Sequence, residues 1–353
     1  MNRAEMTEAL RLLVQAESFS SDPEGLERCA AVIDDLCREV LGTGTTAAGA
    51  HRVWRREGDR PVLLLCHFDT VWPPGTLAEF PFEVEDGVAH GPGTFDMKAG
   101  IVQCVEAVRQ VPEGPVTLLF TADEEVGSPT SRALIEDEAR GARAVLVLEP
   151  AAGRAVKVAR KGTGTYRVEV AGRAAHAGLA PDEGVNAAVE LARQIEAIGD
   201  LADPRAGTTV TVTMLGGGTA ANVIPESAWC TVDVRMWSDE EAGRVDAAMA
   251  QLQASLDGAA IRVTGGLNRG PLEREASEGL YRRLVALGYD VGQAEVGGAS
   301  DGNFTAALGV PTLDGLGAVG GGAHARGEHV LIDEMAPRAE MVARLAAELL
   351  SDG

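Results

Sequence analysis

Aromatic residues make up only 4% of the chain, so its interior has to be built from Ala, Val and Leu. No apolar run is long enough to span a bilayer. The opening MNRAEMTEALRLLVQAESFS has neither a long apolar segment nor a small-residue cleavage site, and no signal peptide is expected. Basic residues are in deficit: 31 Lys and Arg stand against 53 Asp and Glu, a formal net charge of −22. Nucleic acid and anionic membranes are therefore not expected as partners, since both need a basic surface. The five cysteines are scattered and show no metal-type spacing. Cys29 and Cys37 fall in a helical pattern, Cys66 and Cys230 in strand patterns. Buried reduced thiols and a cytoplasmic location are the expectation. A G-x-G-x-x-G after the first strand is also missing, which removes dinucleotide binding.

What is present is alternation. Helical spacing predicts helices over 6–16 and 24–41, the second opened by Ser21, Asp22 and Pro23. Residues 50–54 read as an edge strand. Three continuous apolar runs, at 61–66, 116–120 and 144–148, read as buried parallel strands. Helices are expected between them over 97–111 and 128–138. Past Arg160 the pattern changes to strands at 165–171, 208–215, 228–236 and 260–264, with helices over 186–198 and 239–256, the latter capped by Ser238. This βαββαβ order predicts a ferredoxin-like sandwich over 160–269. It is inserted into an α/β domain, with a mainly parallel sheet flanked by helices, formed by 1–159 and 270–353. Further helices are expected over 278–287, 303–307 and 333–350, with a short strand at 310–313 and a glycine-rich loop over 315–327.

The three buried strands run into polar residues. The first leads to His67-Phe68-Asp69, the second to the acids of TADEEVG (Asp123, Glu124, Glu125), and the third to Glu149. Open α/β sheets place their chemistry at such strand ends. Residues two apart on a strand face one way, so His67 and Asp69 can act at one place. Asp96 precedes the helix between the first two strands, where an Asp is also an ordinary N-cap. His324 lies in the late glycine-rich loop. The donors His67, Asp96, Glu125, Glu149 and His324 suit zinc, and also manganese or cobalt. Two imidazoles and three carboxylates are too many for one tetrahedral ion. They fit two ions about 3.5–4 Å apart that share a carboxylate. A carboxylate off the metals must then move a proton of the attacking water. Glu124 is the candidate, while Asp69 can hold the far N–H of His67.

The segments HFDTV, GPGTFDMKAG, TADEEVGS, VLEP and GGGAH occur in this order with the sandwich between them. They resemble the M20 family of zinc metallopeptidases over nearly the whole chain, in particular its glutamate-carboxypeptidase-like and amino-acid deacylase branches. The resemblance implies two Zn2+ per subunit, replaceable by Co2+ or Mn2+. His67 and Glu149 would hold one ion, Glu125 and His324 the other, and Asp96 would bridge them beside a cis Asp96–Met97 peptide. It makes Glu124 the general base and Asp69 the orienting acid. The implied reaction releases an amino acid from a short peptide or an N-acyl amino acid. Glu rather than Asp at position 149 goes with carboxypeptidases and deacylases in this family. The resemblance also implies a homodimer through the inserted sandwich, which would serve as a lid.

In dimeric relatives a His in the position of His176, within GRAAHAG, reaches the partner's active site and donates to the oxyanion; a surface His is the plain alternative. Asn222 resembles a substrate-contacting position, or is a turn Asn. Arg269 would grip the substrate's free carboxylate, although Gly270 stands between it and Pro271; a surface salt bridge is its alternative. Gly298, Ser300 and Asp301 open a helix whose amides could bind a carboxylate, or simply cap it. Trp72 and Pro74 line the cleft or stiffen their loop. His51, His90 and His329 match no motif. Two other readings stand beside the peptidase. One is a strict N-deacylase of the acetylornithine or succinyl-diaminopimelate type. The other is a non-catalytic metal-binding scaffold.

Overall fold

Strands too apolar to face water on either side settle in the middle of a sheet. The computed structural model describes residues 1–351. Helices α1 (Arg3–Gln15) and α2 (Pro23–Leu41) precede β1 (Thr46–Ala48), β2 (His51–Arg56) and β3 (Val62–His67). Then come β4 (Glu83–Glu85), β5 (Val88–His90), α3 (Ala99–Gln110), β6 (Val116–Thr121), α4 (Arg132–Gly141), β7 (Ala144–Val147) and β8 (Val156–Arg160). A second set follows: β9 (Gly162–Ala171), α5 (Ala187–Gly199), β10 (Thr209–Gly217), β11 (Ser227–Met236), α6 (Asp239–Ala250) and β12 (Ala260–Arg269). The chain ends with α7 (Arg274–Ala286), β13 (Gln293–Val296), α8 (Gly302–Ala307), β14 (Thr312–Leu313), β15 (Gly320–Gly321), β16 (His329–Leu331) and α9 (Ile332–Ser351). Two units result. One comprises Met1–Ala159, Leu272–Val296 and the chain from Ser300 onward; the other comprises Arg160–Pro271 and Gly297–Ala299.

In the first unit a six-stranded sheet has the order β1-β2-β6-β3-β7-β14. Strands β6, β3, β7 and β14 run parallel, while β1 and β2 are antiparallel. The period of two along β3 divides its side chains between two cores. Leu64 and Cys66 pack with Leu10, Ile33, Ile101 and Val342 of α1, α2, α3 and α9. Leu63 and Leu65 pack with Ile135 and Ala139 of α4 and Phe304 of α8. The strand expected at the edge is one place further in, because the three-residue β1 pairs outside it.

Helix starts and stops depart from the apolar spacing where a buried carboxylate competes for backbone donors. Helix α4 begins at Arg132, not 128, because Asp123 accepts from the Thr130 amide (2.6 Å), the Ser131 amide (3.2 Å) and both hydroxyls. Helix α6 ends at Ala250, not 256, because Glu190 takes the amides of Ser255 (2.9 Å) and Leu256 (2.8 Å). Helix α3 begins at Ala99, so Asp96 is not its N-cap; Asp96 and Met97 have non-helical dihedrals and are joined by a cis peptide.

The second unit is an antiparallel sheet in the order β10-β11-β9-β12. One face is closed by the helices: Val168, Val170, Cys230, Val232 and Val234 pack with Leu191 and Ile198 of α5 and Val245 and Met249 of α6. Along β11 buried and partly exposed residues alternate, as a one-sided sheet requires. All five cysteines of the chain are buried and unpaired. Among the described residues no helix is long and apolar enough to cross a membrane.

Candidate metal centre

The order β6-β3-β7 puts the ends of the three buried strands side by side, though some 30 to 80 residues separate them in the chain. His67 closes β3, and its Nδ1 lies 3.1 Å from the Asp69 carbonyl oxygen and 3.4 Å from Asp69 Oδ1. A ring that donates from Nδ1 keeps Nε2 as its free electron pair. That Nε2 points at Asp96 Oδ1 (3.2 Å) and Glu149 Oε1 (3.4 Å). The second oxygen of Asp96 lies 3.4 Å from Nε2 of His324, which is 3.1 Å from Glu125 Oε1. One carboxylate therefore spans two imidazoles, and each imidazole has a further acid of its own.

Asp69 is buried and ties two of these loops together. Its Oδ1 accepts the Glu124 amide (3.1 Å), and its Oδ2 accepts the Glu125 amide (3.2 Å) and the Ser20 hydroxyl (2.8 Å). Gly100 and Gly317 are required by close approach: a Cβ on either would lie 2.3 Å or 2.0 Å from the Leu148 carbonyl, next to Glu149. Burial pushes the His67 ring toward neutrality, but the acids Asp69, Asp96 and Glu149 outweigh it and raise its pKa well above the usual histidine range. Asp96 and Glu125 similarly lift His324 to about 10. For Asp96 burial opposes ionisation, yet His324 and His67 hold its carboxyl well below the ordinary value. For Glu125 burial prevails and its pKa is raised. Such a concentration of acids around two imidazoles attracts positive charge.

The donor set fits a pair of divalent ions: nitrogen and oxygen ligands, a carboxylate with one oxygen toward each imidazole, and an orienting acid behind a histidine. Two groups among the described residues bring their ligand atoms within 4.8 Å of one another, His67 with Asp96 and Glu125, and His67 with Glu124 and Glu149. Glu124 thus stands beside the same centre.

The remaining expected site residues divide between the two units. In the second unit His176 is exposed, and its Nδ1 accepts the amides of Gly178 (3.2 Å) and Leu179 (3.1 Å). The neutral ring therefore carries its proton on Nε2 and presents a donor. Asn222 is brought next to it, since its carbonyl accepts the Ala177 amide at 2.9 Å. Arg269 ends β12 and is buried. The Gly298 carbonyl accepts from Arg160 at 3.0 Å. In the first unit Ser300 is fully buried and its hydroxyl donates to Asp314 Oδ2 at 2.6 Å. Helix α8 spans only six residues, and Asp301 before it accepts from the hydroxyls of Thr121 and Ser128. An anion there would meet a carboxylate.

Some residues of the centre escaped the sequence. Ser20 is one, donating to Asp69 Oδ2; His51, outside the centre, is buried with Nδ1 accepting the Ala122 amide at 3.2 Å. Glu328 is the largest omission. Burial pushes its carboxyl pKa up against the pull of the amides of Asp96 and Gly93, yet both oxygens act as acceptors. Trp72 stiffens its loop, donating from Nε1 to Glu328 and packing on Phe80 with ring centroids 5.7 Å apart.

A mainly parallel α/β sheet with imidazoles and carboxylates gathered at its strand ends is the arrangement of a class of enzymes that includes metal-dependent hydrolases. Within that class the chain belongs to peptidase family M20/M25/M40, whose model matches residues 63–348. It is a hydrolase acting on amide bonds. It is 32% identical over 370 residues to carboxypeptidase G2 of Pseudomonas sp. (strain RS-16), covering 96% of this chain and 88% of that protein. It is 26% identical over 378 residues to succinyl-diaminopimelate desuccinylase of Roseobacter denitrificans, covering 92% of this chain and 96% of that protein. Among solved structures its fold is shared by a dinuclear metal binding peptidase from the M20 family of Bacillus subtilis, with a TM-score of 0.67, 14% identity and 99% of each chain covered. It is shared also by an aminopeptidase of Bacillus cereus, with a TM-score of 0.73, 22% identity and 99% of each chain covered.

Proposed function

We propose that this chain is a two-metal amide hydrolase of the carboxypeptidase kind, releasing an amino acid from a short peptide or N-acyl amino acid. The observation that carries this reading is the Asp96 carboxylate, with one oxygen toward His67 and the other toward His324. His67 and Glu149 would hold one ion, His324 and Glu125 the other, with Asp96 between them. Zinc is the first choice for this donor set, with cobalt or manganese able to replace it. Bound ions would supply an acidified water and a polarised carbonyl. Glu124 would take the proton of the attacking water and return it to the leaving amine. Asp69, by accepting the Glu124 and Glu125 amides, keeps base and ligand in register with His67. His176, with its proton on Nε2, would donate to the developing oxyanion, and Arg269 would receive the free carboxylate.

Residues 160–269 would act as lid and as the surface of a homodimer. Support for the second role is the unpaired edge of β10, where Met214 and Leu215 are 60% and 65% exposed. The greater likeness to carboxypeptidase G2 favours a carboxypeptidase over a strict deacylase. The test is a panel of acyl-glutamates, dipeptides, N-acetylornithine and N-succinyl-diaminopimelate with protein loaded with zinc, cobalt or manganese. Cleavage of acyl-glutamates or dipeptides is expected. Turnover of only the last two substrates would make it a deacylase, and no turnover with any metal would leave a scaffold.

A further inference from the structure

Glu328 is fully buried, and its side chain reaches two stretches distant in sequence, at Trp72 and at Gly93 to Asp96. Its Oε1 accepts the amides of Phe95 (2.9 Å) and Asp96 (3.0 Å). Its Oε2 accepts the Gly93 amide (2.9 Å) and the Trp72 indole N–H (2.8 Å). Its own backbone is held as well: its amide donates to the Ala325 carbonyl (2.9 Å), and its carbonyl receives the Gly91 amide (3.4 Å). The tied segments are those that carry His67, Asp96 and His324. A carboxylate that takes two adjacent amides with one oxygen leaves that stretch of backbone little freedom to turn, and those amides would be unsatisfied without it.

We infer that Glu328 is the positioning residue of the centre: by fixing the backbone of Phe95 and Asp96 it sets the Asp96 carboxylate across the two histidines before any ion arrives. The inference rests on the reading of Asp96 as the bridging ligand. Ligand-orienting partners of this kind govern metal affinity by about 10–100-fold. Glu328 would do so through the main chain of the ligand instead of its side chain, which explains why no ligand spacing in the sequence points to it.

Two measurements test it. Hydrogen exchange on the metal-free wild-type protein should find the Phe95 and Asp96 amides as slow as those of α3, with little gained on adding zinc. Exchange at the rate of an open loop, slowed only by metal, would overturn the inference, and this arm needs no variant to fold. Titration of Co2+ into wild type and Glu328→Ala, followed by calorimetry and visible absorption, is the second. Wild type should bind two equivalents. In the variant the weaker equivalent should lose about tenfold or more in affinity, with an altered cobalt spectrum. A folded variant with both affinities and the spectrum unchanged would give Glu328 a merely structural role and overturn the inference. Fewer than two equivalents in wild type would instead sink the two-metal reading, leaving the exchange result to decide on Glu328.

Discussion

Both units bury carboxylates, but they surround them differently. In the second unit Glu190 accepts the Gln194 side chain (2.7 Å), the Ser255 amide and hydroxyl (each 2.9 Å) and the Leu256 amide (2.8 Å). Those neutral donors pin the loop after α6. In the first unit Asp96 and Glu125 lie against imidazoles, with other acids close by. A buried charge needs either hydrogen-bond donors or a countercharge. The first solution makes a structural acid, the second a cation site. Asp69, Asp123 and Glu328 show that the first unit uses both within a few residues, so the distinction lies in the donors and not in the residue type.

Breaking the comparison at its most sensitive point means removing the proton carrier while keeping its size and shape. Glu124→Gln should retain both metals by elemental analysis while kcat falls about 10²–10⁴-fold, the worth of a positioned proton carrier. Loss of metal instead would make Glu124 a ligand, as its place beside His67 and Glu149 allows. Asp69→Asn alters a structural acid that stands directly behind a ligand. Metal affinity read by calorimetry should drop about 10–100-fold, because an amide cannot accept both the Glu124 and Glu125 amides and also receive the His67 Nδ1 proton. Glu190→Gln should leave metal binding untouched and lower the stability of the second unit by about 1–3 kcal/mol in denaturant titrations at neutral pH. Burial works against the Glu190 carboxylate, but its donors prevail and its pKa lies below the ordinary 4.5. Its stabilisation is therefore complete above about pH 4.5 and lost as pH falls through the depressed value. The gap between wild type and variant should close in acid; a gap that widened there would refute this account.

The three central strands and the residues at their ends were legible because a buried parallel strand is continuously apolar and its first polar residues stand out. The four strands of the second sheet were legible from their alternation. What escaped follows from a common cause: β1, the late start of α4, the early end of α6, Ser20 and Glu328 all depend on partners far away in the chain. Nothing local tells Glu328 from a surface acid, since its donors lie 232 to 256 residues earlier. Ser300 likewise has a partner that no spacing shows, Asp314, which takes its hydroxyl.

The register of the second sheet has one more consequence. Thr163 and Arg269, close to the two ends of the inserted stretch, are cross-strand partners on β9 and β12. A segment that leaves the chain and returns at neighbouring positions behaves as a module. Its two ends lie side by side, as in domains inserted into a host chain. In genetic terms the sequence of the first unit is interrupted rather than extended. Changes of length or sequence within the inserted stretch leave the five donor residues of the first unit untouched.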